Sequence, residues 1–224
     1  MIQNLIYLYG DQIVIMENNF DYDAFVEETY NEFQKYFCNN RTIKYNGKEY
    51  PIIINTLDLE FDGKPRIFWH ISSLGEENGL YFDNVKKRLK FSVFPCINHI
   101  SSANCKLKCN LEDESIELRD NRVPCIYRMS KISNLKKAMD LFNEESDSIK
   151  WWTKVEKSRN SKKTKKMLKI RYTDDLDDYV IMFEFRYTDA SKSSISKFQF
   201  VTAYQIFDNN TKERFDSEYS EFIK

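Results

Sequence analysis

Little in this chain breaks regular structure or builds a familiar catalytic centre. Of 224 residues, 5 are glycine and 4 are proline. That scarcity argues against long linkers and low-complexity tails. The sequence has no glycine-rich phosphate loop, no nucleophile elbow and no helical zinc-protease signature, which removes kinase, α/β-hydrolase and dehydrogenase readings. Histidine occurs twice, as His70 and His99. No apolar run reaches the roughly 18 residues of a membrane span. The opening "MIQNLIYLYGDQIVIM" lacks a basic start and contains Asp11, so an export signal is not expected. With no such signal, the five cysteines, an odd number, read as reduced thiols of a cytoplasmic protein without a membrane partner.

What is present is a globular composition, 42% hydrophobic and 31% charged, with seventeen Phe and fourteen Tyr. The core is therefore expected to be rich in aromatic rings. The formal net charge of -1 does not favour a nucleic-acid binder. A sum near zero can still hide a local basic patch.

The pattern of elements predicts an α+β fold. "LIYLY" and "QIVIM" read as two short strands. Val26, Tyr30, Phe33 and Phe37 recur at helical spacing, with Asp21 or Asp23 as N-cap. "RTIKYNGKEYPIII" is a hairpin about Asn46-Gly47. "RIFWHISS" reads as a short strand, and "SNLKKAMDLF" as a helix capped by Ser133. "MLKIRYT", "DYVIMFEFRYT" and "KFQFVTAYQIF" predict an antiparallel meander. The terminal "TKERFDSEYSEF" is a helix burying Phe215, Tyr219 and Phe222. Strict alternation would place Phe198, Phe200, Thr202, Tyr204 and Ile206 on one face of the last strand.

Four features carry candidate chemistry. His70 is either a histidine satisfied within the fold or a proton-transfer group working near neutral pH. Residues 154 to 171, "KVEKSRNSKKTKKMLKIR", hold nine Lys or Arg against one Glu. They form either a solvated loop or an arm contacting phosphates, preceded by Trp151 and Trp152, whose rings can stack on bases. Cys96, His99, Cys105, Cys109 and Cys125 are either zinc ligands or buried thiols, and their spacing fits no specific zinc pattern. Asp178, Glu184 and Arg186 loosely imitate the acidic pair and cation of a metal-dependent nuclease strand.

Taken in order, "GKPRIFWHISS", the basic "KKRLKF", a Trp before "KKMLKIRY", "DYVIMFEFR", "FVTAYQIF" and a charged terminal helix with "SEY" make a recognisable series. The series resembles the phage- and mobile-element-associated branch of the barnase–EndoU–RelE-like ribonucleases. The resemblance covers residues 25 to 95 and 150 to 222. Where that branch has Arg-x-x-Arg-Ile, this chain departs with "KKRLKF", so Lys87 and Arg88 are candidate cations rather than clean matches. The cysteine-bearing middle, about 96–150, looks like an insertion.

The resemblance implies a ribonuclease-toxin-like core over 61–224, with 1–60 as an α+β extension packed on it. It implies a metal-independent, cofactor-free endoribonuclease, acting as a toxin in a toxin–antitoxin or anti-phage system with an antitoxin partner. The RNA's own 2′-hydroxyl attacks the adjacent phosphate; a base takes its proton and an acid protonates the leaving oxygen. His70, Arg88, Arg186, Thr202 and Tyr204 are the implied catalytic group. Lys87, Trp152, Lys162, Lys163, Lys165 and Lys166 are the expected RNA contacts. Two alternatives stand beside this: a metal-dependent nuclease built on Asp178 and Glu184, and an inactive RNA- or protein-binding module of the same fold.

Overall fold

A computed structural model describes residues 6–9, 12–15, 22–38, 41–59, 63–74, 80–83, 88–91, 122–157, 163–175, 177–206 and 209–224. In chain order the elements are β1 (Ile6–Tyr9), β2 (Gln12–Ile15), α1 (Tyr22–Phe33), a π-helical turn (Gln34–Cys38), β3 (Thr42–Tyr45) and β4 (Lys48–Ile53). Then come α2 (Arg66–Ser72), β5 (Ser73–Leu74), β6 (Leu80–Asp83), β7 (Arg88–Phe91), β8 (Val123–Pro124), α3 (Ile126–Ser130) and α4 (Ser133–Asn143). β9 (Ile149–Lys157), β10 (Thr164–Thr173), β11 (Asp178–Tyr187), β12 (Ile195–Gln205) and α5 (Asn209–Phe222) complete it. The class is α+β. Two compact units divide the chain: Met1–Asn31 with Thr56–Ile132, and Glu32–Asn55 with Ser133–Lys224. Each unit draws residues from both sides of position 60.

In the first unit, β1 and β2 pair antiparallel, as do β6 and β7, and β5 pairs with β8. The segment expected as a strand, "RIFWHISS", is helical. Pro65 stands at the start of α2, where a missing N–H costs nothing. Phe68, Ile71 and Ser72 are buried at helical spacing, with Trp69 beside them. A short apolar run reads equally well as strand or helix, and here proline and burial select the helix. Tyr30 of α1 meets the Phe68 ring at 5.0 Å, and Phe68 meets Trp69 at 5.1 Å. Just before the helix, Lys64 is 3% exposed and ion-paired to Glu27.

The second unit holds a six-stranded sheet in the order β3-β4-β12-β11-β10-β9. β9 to β12 pair antiparallel in chain order, and β4 joins β12 in parallel, so the sheet is mixed rather than a purely antiparallel meander. β3 and β4 are closed by Asn46 and Gly47 at φ 50° and 71°. Positive φ at both central residues is the primed turn that matches strand twist.

One face of the sheet carries Leu168, Ile170, Ile181, Phe183, Phe185, Phe198 and Phe200, all buried. Tyr45 stands edge-on to Phe185 and Phe198, and Phe37 of the π-helical turn meets Phe200 at 5.0 Å. α4 covers this face with Leu135, Ala138, Met139 and Phe142. α5 covers part of the other face, where Phe215 packs with Trp152, Val180 and Ile206. Phe222, expected in the buried stripe of α5, is 40% exposed, and Glu218 is buried instead.

Strict alternation fails in β12. Met182 faces Thr202, but the next residue, Phe183, faces Phe200. Val201 is therefore an extra residue, a β-bulge. A slip of one position moves every later side chain to the opposite face. Thr202 and Tyr204 consequently leave the face of Phe198 and Phe200 and join the face under α5.

Candidate nucleic-acid interface

Opposed residues of antiparallel strands point to the same side of a sheet. The register therefore assigns Trp152, Lys154, Lys165, Met167, Lys169, Arg171, Asp178, Val180, Met182, Glu184, Arg186, Gln199, Thr202 and Tyr204 to one face. This polar face contrasts with the aromatic one behind it. Most of the basic segment 154–171 is strand rather than loop.

Under α5 the charges pair internally. Lys169 and Arg171 are 2% and 5% exposed. Lys169 Nζ lies 2.9 Å from Glu218 Oε2 and 2.6 Å from Glu156 Oε1. Arg171 Nε and Nη2 donate to the two oxygens of Asp178, each at 2.7 Å. Arg171 Nη1 donates to Asp216 of α5 at 3.0 Å. Trp152 Nε1 donates to Glu218 Oε2 at 2.9 Å, and the ring is 1% exposed. Trp152 is thus a core residue with no free face for a base, which corrects its expected RNA contact. Burial would raise the Glu218 carboxyl pKa, but hydrogen bonds from Lys154, Lys169 and Trp152 outweigh that and hold it below its ordinary value.

Away from α5 the arrangement opens. The β10–β11 ladder ends at Met167↔Glu184. Beyond it, Thr164–Lys166 pair with β9 and Phe185–Tyr187 follow β12. The two strands separate and leave a cleft of about 600 Å³. Among the described residues, five cations line it, Lys163, Lys165, Lys166, Arg186 and Lys192, against the carboxylate of Glu184. Glu184 is buried and sits between two of them: Lys165 Nζ at 2.7 Å and Arg186 Nη1 at 3.0 Å. Gln199 accepts from Arg186 Nε at 2.8 Å and also from Nη2. The guanidinium is therefore fixed from two sides while its side chain stays 40% exposed. Lys166 Nζ lies over the Phe185 ring at 4.8 Å.

The far rim is the turn after β11, organised by one carboxylate. Asp189 accepts from Ser191 Oγ at 2.6 Å, Ser193 Oγ at 2.8 Å and Ser193 N at 3.2 Å. Those hydrogen bonds, from Ser191 first, push its pKa far below the usual carboxylate range. Lys192, at φ 57°, is carried on this turn.

Of the expected site residues, Lys163, Lys165, Lys166 and Arg186 meet in this cleft. Thr202 and Tyr204 share its sheet face, opposite Met182 and Val180. That places them about 7 and 13 Å along the strand from Glu184, at about 3.3 Å per residue. Tyr204 packs against the Trp152–Phe215 cluster. His70 is half-buried on α2 in the first unit. Arg88 opens β7 opposite Asp83. Lys87, Lys162, Cys96, His99, Cys105 and Cys109 lie outside the described residues; Cys125 is a buried thiol.

The acidic pair expected for a metal-dependent alternative does not assemble. Asp178 and Glu184 are six positions apart on β11, about 20 Å at strand rise. Each is engaged by its own cations. Among the described residues, no three His, Cys, Asp or Glu are grouped to hold a metal ion, and no helix is long and apolar enough to cross a membrane.

Sequence reasoning missed Gln199, Lys192 and Glu218. Glu218 was detectable as an acid three residues after Phe215 on the apolar stripe of α5. Gln199 and Lys192 left no such signal. No family model, curated protein or solved structure compared with the chain matches it.

Proposed function

We propose that the protein is an RNA-binding endoribonuclease that grips the RNA backbone in the cleft between β10 and β11. The carrying observation is the cleft itself: among the described residues, five cationic side chains around one carboxylate that fixes two of them. Phosphates bind such a surface by displacing counterions, and an oriented guanidinium adds directional donors. The same cations suit a phosphorane-like transition state, where charge grows on non-bridging oxygens. In this reading Arg186 and Lys165 stabilise that charge, while Glu184 and Gln199 hold Arg186 in place. The family resemblance implies His70 for proton transfer, and that assignment is tested apart from the cleft. Attack by the RNA's 2′-hydroxyl needs no metal and leaves a 2′,3′-cyclic phosphate. A toxin acting on cytoplasmic RNA and silenced by an antitoxin is the setting the resemblance supplies.

Purified protein incubated with single-stranded RNA in EDTA tests this. Cleavage with cyclic-phosphate ends is expected, reduced at least tenfold in Arg186→Ala. RNA that stays intact but binds with Arg186-dependent affinity would replace the nuclease by a binding module. Cleavage and binding both unchanged in Arg186→Ala and Lys165→Ala would remove the cleft from the reading. Cleavage unchanged in His70→Ala would remove His70 alone.

A further inference from the structure

A second cationic site in the second unit is built from the π-helical turn, β3, β4 and α4, and shares no lining residue with the cleft. α1 does not end in an ordinary cap. Its last turn widens into the π-helical turn Gln34–Cys38, a form found mostly as short insertions and frequently at functional sites. The turn buries Phe37 against Phe200 and leaves Tyr36 half-buried.

Three cations from three places in the chain converge on the Tyr36 ring. Lys35 Nζ lies 5.3 Å from its centroid, Arg41 Cζ 5.8 Å and Lys136 Nζ of α4 5.6 Å. One attraction of this kind is ordinary. Three on one ring bring like charges together at a cost in mutual repulsion. Among the described residues, Asp140 is the only carboxylate lining the pocket, and it pairs with Lys136. Its hydrogen bond raises the Lys136 pKa, against an opposing push from Arg41.

These groups line a pocket of about 360 Å³. Its remaining wall is mostly apolar, from Phe37, Ile52 and Met139, with the Thr42 hydroxyl and the Asn143 amide beside them. The volume falls within the range of small-molecule sites. A ring of cations beside an apolar wall matches a ligand with one anionic end and one uncharged body.

We infer that this pocket binds a small phosphorylated molecule, its phosphate among Lys35, Arg41 and Lys136 and its body against Met139 and Ile52. This site is independent of the RNA cleft and does not rest on the nuclease reading.

Calorimetric titration of the whole protein with inorganic phosphate, pyrophosphate and adenosine monophosphate tests it, with chloride as the control anion. Saturable binding of at least one phosphate is expected, weakened at least tenfold in both Arg41→Ala and Lys136→Ala. Thermal melting confirms that those two variants fold; neither residue is buried. The binding should persist in Arg186→Ala, which separates the pocket from the cleft. No saturable phosphate binding in the wild type, or binding unchanged in both pocket variants, overturns the inference. So does phosphate binding lost in Arg186→Ala, which would assign it to the cleft. If the pocket variants weaken RNA binding while small phosphates never bind, the pocket is an extension of the RNA surface and the small-ligand site is refuted.

Discussion

Lys169 and Glu218 meet at 2.9 Å beneath α5, each nearly shut off from water. This contact ties the terminal helix to the sheet by charge as well as by the Phe215 ring. Glu218→Ala would leave the Lys169 ammonium buried with one acid fewer. Loss of a buried partner of this kind costs about 3–5 kcal/mol. Denaturant melts should show that loss, and the double variant Lys169→Met with Glu218→Leu should recover a large part of it. A double variant as unstable as the sum of its singles would mean the ion pair is not what couples α5 to the sheet.

The same carboxylate gives a pH dependence. The folded-state pKa of Glu218 lies below its ordinary value near 4.5. A depressed carboxylate contributes stability that is present above the ordinary value and lost as pH falls through the folded one. The wild type should therefore lose stability progressively below about pH 4.5, and Glu218→Gln should flatten that part of the profile. Parallel profiles for the two proteins would show that other carboxylates govern acid unfolding.

Asp178 and Arg171 form a two-point pair that is nearly buried. Asp178→Asn should destabilise the protein by a few kcal/mol, read by thermal melting, while any RNA cleavage scaled to the folded fraction stays the same. Abolished cleavage in a fully folded Asp178→Asn protein would instead return the metal-dependent alternative.

In the proposed reading, Arg186 and Lys165 contact phosphates of single-stranded RNA. Removing one should lower the slope of log affinity against log salt by about 0.7. Binding isotherms at several salt concentrations measure it. A weaker affinity with an unchanged slope would mean that the side chain shapes the cleft rather than contacting phosphate.

Val201 is the extra residue of β12, so deleting it would join Phe200 directly to Thr202 and leave Thr202 and Tyr204 opposite Met182 and Val180. Deleting Ala203 instead would keep the bulge and turn Tyr204 onto the aromatic face. Because both faces are packed there, the second deletion should cost far more stability than the first. Equal melting temperatures for the two deletions would contradict the role given to the bulge.

Much of the second unit was legible in the sequence. Asn46-Gly47 dictated its hairpin because two positive φ angles are needed there and those residues tolerate them. The last three strands announced themselves through β-branched and aromatic residues, and α4 through the spacing of Leu135, Met139 and Phe142. These signals are local, set by backbone preference and periodicity, so a single sequence carries them.

Other features depend on partners distant in the chain. "RIFWHISS" carries too few residues for its period to be read, and burial of Phe68, Ile71 and Ser72 makes it a helix. The face of Thr202 and Tyr204 was set by one extra residue, which alternation cannot reveal without the opposing strand. Trp152 beside a run of lysines suggested a stacking surface; α5, some sixty residues later, covers it. The cleft exists because β10 and β11 part after Met167↔Glu184 while each keeps its outer neighbour. The sequence by itself determined the hairpin, the last three strands and the helices α4 and α5 of the second unit, and where basic charge is concentrated. Only the tertiary structure decided which of those charges are buried in pairs and which line an open cleft, because that depends on what is packed against them.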